Sequence, residues 1–281
     1  MKIIDSHAHI GQDTFPGNPL KFNITNLIKQ MDRNGVEKAV IFPFPAPQFL
    51  LGKDTFWYNK ENEALSKIRR AYLGRIYFAA GINLFDSASV ERAEELARQG
   101  EICAVKFHSR AMGADLKNIP ESSMQFLAKK NLPIIFHVGS GYEQELSDKG
   151  VDISLEEAIK VAKRFPKVRF TFAHLGRVHK NIFEALELEN VAFDSAALSW
   201  YDRDKSEIVA REPMTGLPKR LSQLITFLVN KGYEDKILFG SDAPYYVSYE
   251  AELNPFLRSN VTQKQLEKML SLNAQRWFNL N

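Results

Sequence analysis

Eight short apolar runs, separated by segments with helical spacing, constrain the fold of this 281-residue chain more than any other feature. Each run is nearly continuous in apolar character, which is typical of strands buried on both faces of a parallel sheet. Eight such strands alternating with helices indicate an α/β fold, a single (β/α)8 TIM-like barrel, more than a doubly wound open sheet. The predicted strands are Ile3–Ile4, Ala39–Phe44, Ile76–Gly81, Cys103–His108, Pro133–Val138, Arg169–His174, Val191–Ser195 and Ile237–Ser241.

Helix start and stop signals support this alternation. Ser154 with Glu157 three residues later fits a capping box, and Gly35 and Gly100 stand where a left-handed residue ends a helix. The predicted helices are Asn26–Asn34, Asn62–Tyr72, Ser89–Gln99, Ser122–Lys130, Ser154–Phe165, Asn181–Leu188, Leu217–Asn230 and Thr262–Leu272.

Two insertions interrupt the alternation, at Pro43–Asn59 and Leu198–Gly216. Both follow predicted strands, so we expect them to be loops over the catalytic face of the barrel. The first is rich in aromatic residues and is interpreted as a lid or pocket wall, or else as a packed loop or subunit contact. No linker or low-complexity tract divides the chain, which predicts one domain over residues 1–281.

Composition excludes several classes of protein. The net charge of +3 is too small to indicate nucleic-acid binding. The single cysteine, Cys103, excludes an intramolecular disulfide framework and fits a reducing compartment. Asp5 interrupts the first apolar run, which argues against a signal peptide, and no run is long enough to span a membrane. We therefore expect a cytoplasmic protein that acts on a small molecule, without nucleic-acid or membrane partners.

Polar residues gather at the carboxyl ends of the predicted strands. These ends converge on one mouth in a barrel, so ligands distant in sequence can meet there. Five of the six histidines and one aspartate occupy such ends: His7, His9, His108, His137, His174 and Asp242. The sixth histidine, His179, is expected to be solvated or to contact a helix start. The placement of the other five indicates a metal-dependent active site.

The predicted chemistry is hydrolysis by a metal-activated water. His7 and His9 stand at i and i+2, so both can point inward from one strand and bind one cation, with His137 and Asp242 as further ligands. A metal lowers the pKa of its bound water to about 7. Asp242 can then accept the proton as water attacks, and His174 can polarise the substrate or shuttle that proton.

Four further residues are candidates for substrate binding. Lys106 and His108 share one face of their strand. Lys106 could contact substrate, form a carbamylated bridge between two metals, or simply reach solvent or a carboxylate; His108 could line the pocket or orient a neighbour. Arg110 and Arg177 could clamp an anionic substrate or pair with a loop acid. The expected substrate is small and anionic.

The chain resembles the amidohydrolase superfamily, and in particular its amidohydrolase 2 branch of metal-dependent hydrolases and decarboxylases. The resemblance extends from Ile3 to Phe278 and covers essentially the whole chain. The segments that carry it are IIDSHAHIG, VKFH, IIFHVG, FAHLG, ILFGSDAP and NAQRWF.

The resemblance implies one divalent metal, usually zinc, with manganese as the alternative. It matches His7, His9 and His137 to the metal-binding histidines, Asp242 to the strand-eight aspartate, and His174 to a catalytic or metal-proximal residue. It also implies a homodimer. The aromatic residues Trp200, Tyr201, Tyr245 and Tyr246 could serve a dimer contact or line the pocket.

Three functions compete at this point. The first is hydrolysis of a C–O or C–N bond in a lactone, ester or amide. The second is non-oxidative decarboxylation of a small carboxylic acid on the same scaffold, in which carbon dioxide leaves and no water adds. The third is a barrel that has lost its chemistry and acts as a binding protein, which would not need five polar residues at one mouth. Carbon dioxide release without incorporation of solvent oxygen would favour the second.

Overall fold

The structure of the protein, a computed structural model, describes residues 1–12, 21–44, 55–108, 116–138, 153–199, 217–218 and 220–281. The greater part of the two predicted insertions, residues 45–54 and 200–216, lies outside the described residues. None of the described helices combines the length and the apolar character that crossing a membrane requires.

The described strands form one sheet, in the order β2-β1-β3-β4-β5-β6-β7-β8-β9. The short β2 pairs antiparallel with the end of β1, whereas all other neighbours are parallel. Setting β2 aside, eight parallel strands match the eight predicted runs. The strands are β1 Ile3–Gln12, β2 Lys21–Phe22, β3 Val36–Pro43, β4 Ile76–Gly81, β5 Ala104–Phe107, β6 Ile134–Phe136, β7 Phe170–Phe172, β8 Val191–Asp194 and β9 Ile237–Leu238.

Backbone hydrogen bonds between the β9 end and β1 close the sheet. The N–H of Ser6 donates to the carbonyl of Phe239 at 2.8 Å, and the N–H of His9 donates to that of Ala243 at 2.7 Å. Strand–helix alternation and this closure confirm the predicted (β/α)8 barrel.

Helices separate the parallel strands as predicted. The capping box between Ser154 and Glu157 is present, and Gly35 ends the first helix with a left-handed φ of 67°. Two helices lie outside the predicted ones. Tyr249–Leu257 contains Pro255, and a proline inside a helical pattern normally ends it; Asn273–Trp277 continues the chain directly after the predicted Thr262–Leu272. The helices are α1 Ile24–Asn34, α2 Thr55–Ala71, α3 Ser87–Arg98, α4 Glu121–Lys129, α5 Leu155–Arg164, α6 Ile182–Leu186, α7 Leu221–Asn230, α8 Tyr249–Leu257, α9 Gln263–Glu267 and α10 Asn273–Trp277.

Strand β1 is longer than its predicted core of Ile3–Ile4. It continues through Gln12, and its register against β3 shifts between Asp5 and Ala8. The polar residues that follow the apolar start therefore belong to the strand itself, because backbone pairing with β3 and closure at β9 hold them extended.

The apolar core falls into two clusters that alternate along the strands. The larger one lies between the sheet and the helices. The smaller one fills the barrel interior and includes Phe42, Ala79, Ala104 and Ala192. Since residues i and i+2 share a face, Lys106 follows Ala104 into the interior. The barrel thus carries an apolar floor below a polar mouth.

Candidate active site

Two imidazoles from β1 meet one carboxylate that follows β9. The Nε2 atoms of His7 and His9 lie 3.1 Å and 3.3 Å from the Oδ1 atom of Asp242. All three side chains are buried. The N–H of Asp242 also donates to the carbonyl of His7 at 2.8 Å, so barrel closure itself places the carboxylate beside both rings.

His174 forms a compact group with His7 and Asp242. One ligand atom from each of these three residues lies within 4.8 Å of the other two. The two remaining predicted ligands border the group: His9 through its contact with Asp242, and His137 through its Nδ1, which lies 3.2 Å from the Nε2 of His174. The structure therefore brings all five of these predicted residues to one end of the barrel.

Hydrogen-bond acceptors determine which ring nitrogen of His7 and His9 carries the proton. The Nδ1 of His7 donates to Oδ2 of Asp194 at 2.8 Å, and the Nδ1 of His9 donates to the carbonyl of Pro43 at 3.1 Å. In each neutral ring, Nε2 then holds a lone pair. Both lone pairs face the Oδ1 of Asp242, which is itself an acceptor.

The same logic applies to the second pair of histidines. The carbonyl of Ala196 accepts from the Nδ1 of His174 at 3.0 Å, so the neutral ring presents its Nε2 as an acceptor. His137 then donates to that atom from its own Nδ1. The Nε2 of His137 is left with a lone pair, and it is buried with no hydrogen-bond partner among the described residues.

This convergence of acceptors fits a bound cation. The Nε2 of His7 is likewise buried with no hydrogen-bond partner in the described part of the chain. Buried polar atoms without partners are costly, and a metal ion would satisfy them. Imidazole nitrogens together with a carboxylate oxygen are the donors that zinc and neighbouring first-row metals bind in catalytic sites.

Electrostatics keep the group in a form that can bind a metal. Burial lowers the pKa of His9, and it lowers the pKa values of His137 and His174 well below the usual histidine range, so these rings are neutral at pH 7. Burial opposes ionisation of Asp242, but His7 and the other histidines hold its pKa well below the usual range. His7 differs from these rings: burial lowers its pKa, but Asp194 and Asp242 outweigh burial and raise that pKa above the usual histidine value, so metal binding would release a proton from His7.

A sequence model of the amidohydrolase family, Amidohydro_2, matches residues 4–280. The chain belongs to the amidohydrolase family. The match confirms the resemblance that the sequence motifs indicate, and membership in this family indicates an enzyme. No protein of curated function matches the sequence.

Solved structures similar to this amidohydrolase include several decarboxylases. The 5-carboxyvanillate decarboxylase from Sphingomonas paucimobilis has a TM-score of 0.70 and 12% identity, over 100% of this chain and 99% of that one. The 2,6-dihydroxybenzoate decarboxylase from Rhizobium has a TM-score of 0.70 and 17% identity, over 99% and 98%. A 5-carboxyvanillate decarboxylase from Novosphingobium aromaticivorans, complexed with manganese and 4-hydroxy-3-methoxy-5-nitrobenzoic acid, has a TM-score of 0.69 and 15% identity, over 90% and 79%. At these identities the likeness shows the fold alone.

Lys106 is buried and forms no ion pair with a carboxylate of the described residues. Its side chain is 5% exposed, and its Nζ has no hydrogen-bond partner among the described residues. It lies 4.7 Å from the centre of the Phe42 ring, against which His7 and His9 also pack edge-on. Burial lowers the pKa of Lys106 to about 8, so at pH 7 the amine is a buried cation beside the metal-ligating group.

The structure describes two of the other three predicted substrate-binding residues, His108 and Arg177. His108 stacks on His137, with ring centres 4.0 Å apart. The Nε of Arg177 donates to the carbonyl of Val138 at 3.3 Å, at the same end of the barrel. Arg110 lies outside the described residues. His179 accepts a hydrogen bond from the N–H of Asn181 at 3.2 Å, which confirms its predicted contact at a helix start.

The segment that follows β7 is a left-handed turn, His174–Val178. All five of its residues have positive φ: 60° at His174, 49° at Leu175, 59° at Gly176, 55° at Arg177 and 51° at Val178. Such backbone costs about 1–2 kcal/mol for each residue other than glycine. Surrounding contacts must therefore impose this conformation, which sets the direction of the His174 ring.

Two buried carboxylates at the site were not predicted. Asp194 ends β8 and bonds His7. Asp5 accepts from the N–H of His7 at 3.0 Å, from the N–H and hydroxyl of Ser241, and from the hydroxyl of Tyr249. A charged residue inside an otherwise apolar run is the sequence signal that could have identified both, because a charge in a strand core needs a partner.

Proposed function

We propose that this amidohydrolase is a metal-dependent, non-oxidative decarboxylase of a small carboxylic acid. The observation that carries the proposal is the Lys106 cation, which is buried beside the His7–His174–Asp242 group and has no hydrogen-bond partner in the described part of the chain. A buried cation without a partner is costly, and a bound carboxylate would neutralise it. The likeness to decarboxylases of known structure supports the same reading.

The proposed metal ligands are His7, His9, His137 and Asp242, and the metal is one divalent ion, zinc or manganese. When bound, the ion supplies a positive charge that binds anionic oxygen and draws electrons from the reacting carbon. Manganese is the ion named in the Novosphingobium structure. Asp194 and the carbonyl of Pro43 orient two of these imidazoles toward the ion.

The chain's own residues bind the substrate and supply a proton. We assign the substrate carboxylate to Lys106, with His108, Arg110 and Arg177 as additional contacts at the mouth. As the bond between the carboxyl carbon and the remaining carbon breaks, carbon dioxide leaves, and that carbon takes up one proton. His174 adjoins the group at the mouth and is assigned to relay this proton: its Nε2 would take a proton that comes from solvent and pass it to the carbon, which leaves the ring neutral again.

Hydrolysis is the second candidate, and the position of Asp242 favours it. Its Oδ1 lies within 3.3 Å of two imidazole nitrogens, so it can accept a proton from water bound at the same place. In that case, the same residues would cleave a lactone, ester or amide by addition of water.

One experiment separates the two candidates. The purified protein, loaded with zinc or manganese, is incubated in ¹⁸O-labelled water with hydroxybenzoates, other small carboxylic acids, lactones, esters and amides. Carbon dioxide and ¹⁸O in the other product are then measured. Metal-dependent release of carbon dioxide without ¹⁸O incorporation supports decarboxylation; ¹⁸O incorporation without carbon dioxide overturns it in favour of hydrolysis. His7→Ala is the inactive control, and His179→Ala, which alters a histidine outside the cluster, is the matched active one.

A further inference from the structure

Asp194 uses both of its carboxylate oxygens within the site. The side chain is fully buried at the end of β8. Its Oδ2 accepts from the Nδ1 of His7 at 2.8 Å, while its Oδ1 accepts from the N–H groups of His174 at 2.9 Å and Ala196 at 3.1 Å. One carboxylate therefore joins the ring of a residue on β1 to the backbone that follows β7.

We propose that Asp194 is a positioning residue that fixes the tautomer of His7 and holds the backbone of His174 in place. The inference rests on the metal-binding role proposed for His7. A carboxylate can only accept hydrogen bonds, so the Nδ1 of His7 must carry a proton, and in the neutral ring that binds a metal the lone pair is then on Nε2. The two amides on Oδ1 keep the carboxylate from rotating away.

The second part of this role concerns the left-handed turn that begins at His174. Asp194 accepts a hydrogen bond from the N–H of His174, the first residue of the turn. Two residues later, Gly176 packs on β8, where an added Cβ would lie 2.8 Å from the Phe193 ring. Contacts with the end of β8 thus stabilise an otherwise unfavourable backbone. Because Asp194 acts on both His7 and His174, one carboxylate sets the spacing between them.

The substitution that tests this is Asp194→Asn. The side-chain carbonyl of the introduced amide can still accept from His174 and Ala196, so the turn is preserved. Its NH₂ then faces the Nδ1 of His7 and donates to it, which moves the ring proton to Nε2. A protonated Nε2 cannot ligate a metal.

Two measurements follow the change. In metal-free protein, at a pH above the titration of His7, ¹⁵N NMR of the neutral histidine rings should show Nδ1–H at His7 in the wild type and Nε2–H in Asp194→Asn. Competition against a chelator should show zinc affinity reduced by about 10- to 100-fold, the usual effect of removing such a hydrogen-bond partner. Glu101→Gln is the matched control, because Glu101 is also a buried acid but bonds Ser66 and Arg70 away from the cluster. It should leave both quantities unchanged.

The outcomes separate this inference from the proposed function. Unchanged zinc affinity and an unchanged His7 tautomer in folded Asp194→Asn would overturn the positioning role, even if the wild type is an active decarboxylase. A reversed tautomer together with weakened zinc binding supports it. If the wild type binds no metal but the tautomer still reverses, the positioning of His7 stands and the metal-dependent function fails.

Discussion

The Nζ of Lys106 and the ring of Phe42 lie 4.7 Å apart inside the barrel, and His7 and His9 pack against the same ring. A cation over an aromatic face is attracted by the ring, but that attraction does not replace the hydrogen bonds that an ammonium makes in water. Lys106 is therefore held at a cost in stability, which is typical of residues retained for function.

The first prediction is that Lys106→Met stabilises the protein and weakens substrate binding. The amine has a pKa near 10.5 when solvated and about 8 in the fold, so the folded state loses stability as pH falls from 10.5 to 8 and does not regain it below. At pH 7 we expect a gain of about 1–3 kcal/mol in the free energy of unfolding, measured with urea. KM for a carboxylate substrate should rise at least about 10-fold, since a charge-assisted contact is lost.

Lys38→Met is the control for this change. Lys38 also lies over an aromatic ring, that of Tyr77, but it is partly exposed and donates to the carbonyl of Asn281. The Lys38→Met substitution should leave KM unchanged and should not give the gain in the free energy of unfolding that is expected for Lys106→Met. A destabilised Lys106→Met protein, or one with unchanged KM, would contradict the assignment of Lys106 to the substrate carboxylate.

The second prediction separates the metal ligands from the proton relay, His174. The Nε2 of His137 has no hydrogen-bond partner among the residues that the structure describes, whereas the Nε2 of His174 accepts from His137. We expect His137→Ala to reduce metal content well below one ion per chain by elemental analysis. His174→Ala should retain the metal and lose turnover by about 10²- to 10⁴-fold, the usual size of an acid–base contribution. Loss of metal from His174→Ala would instead assign the ion to the His7–His174–Asp242 group.

The strand order and the composition of the site could be predicted because each depends on a local pattern. Apolar runs specify buried strands, and parallel strands bring their carboxyl ends together. His7, His137 and Asp242 therefore meet independently of the conformation of the loops. The roles of Asp194 and Asp5 could not be predicted, because a single acid in a strand does not reveal which distant group it bonds. These partners exist only once the barrel closes.

The left-handed turn after β7 could not be predicted either, because contacts that form only in the folded barrel determine its conformation. Among His174–Val178, only Gly176 favours positive φ, and His174, Leu175, Arg177 and Val178 all disfavour it. Local preference predicts the opposite conformation, and the hydrogen bond to Asp194 and packing on β8 override it. Similarly, the pairing of β1 with β3 extends that strand beyond its apolar start.

The third prediction concerns Gly240, which lies beneath His7. A Cβ at Gly240 would stand 2.8 Å from the Cβ of His7 and 3.4 Å from the Oγ of Ser6. Gly240→Ala should therefore displace β1, lower stability by about 1–3 kcal/mol and weaken zinc affinity. Gly35→Ala is the comparison, because the φ of 67° at Gly35 disfavours alanine, whereas the added methyl would meet no described atom within 4 Å. It should lower stability but leave zinc affinity closer to the wild-type value; equal losses in both variants would contradict the prediction.

The fourth prediction concerns Glu252 on α8, which bonds Ser199 at the start of the second insertion. One of its oxygens accepts from the N–H of Ser199 at 3.0 Å, and the other pairs closely with the Ser199 hydroxyl. Burial raises the pKa of Glu252 to about 8, with Asp242 and Asp5 adding to the effect. At pH 7 the side chain is therefore a neutral acid in the fold, although it ionises near pH 4.5 when the chain unfolds.

The consequence is a loss of stability as pH rises. Between about pH 4.5 and pH 8 the unfolded chain releases a proton that the folded chain keeps, which costs up to about 1.4 kcal/mol per pH unit. Glu252→Gln imitates the neutral acid, so its amide can bond both groups of Ser199 without titrating. We expect its free energy of unfolding in urea, relative to the wild type, to increase steadily from pH 5 to pH 8. Glu250→Gln, an exposed change on the same helix, should parallel the wild type, and a parallel curve for Glu252→Gln would show that Glu252 is ionised in the folded protein.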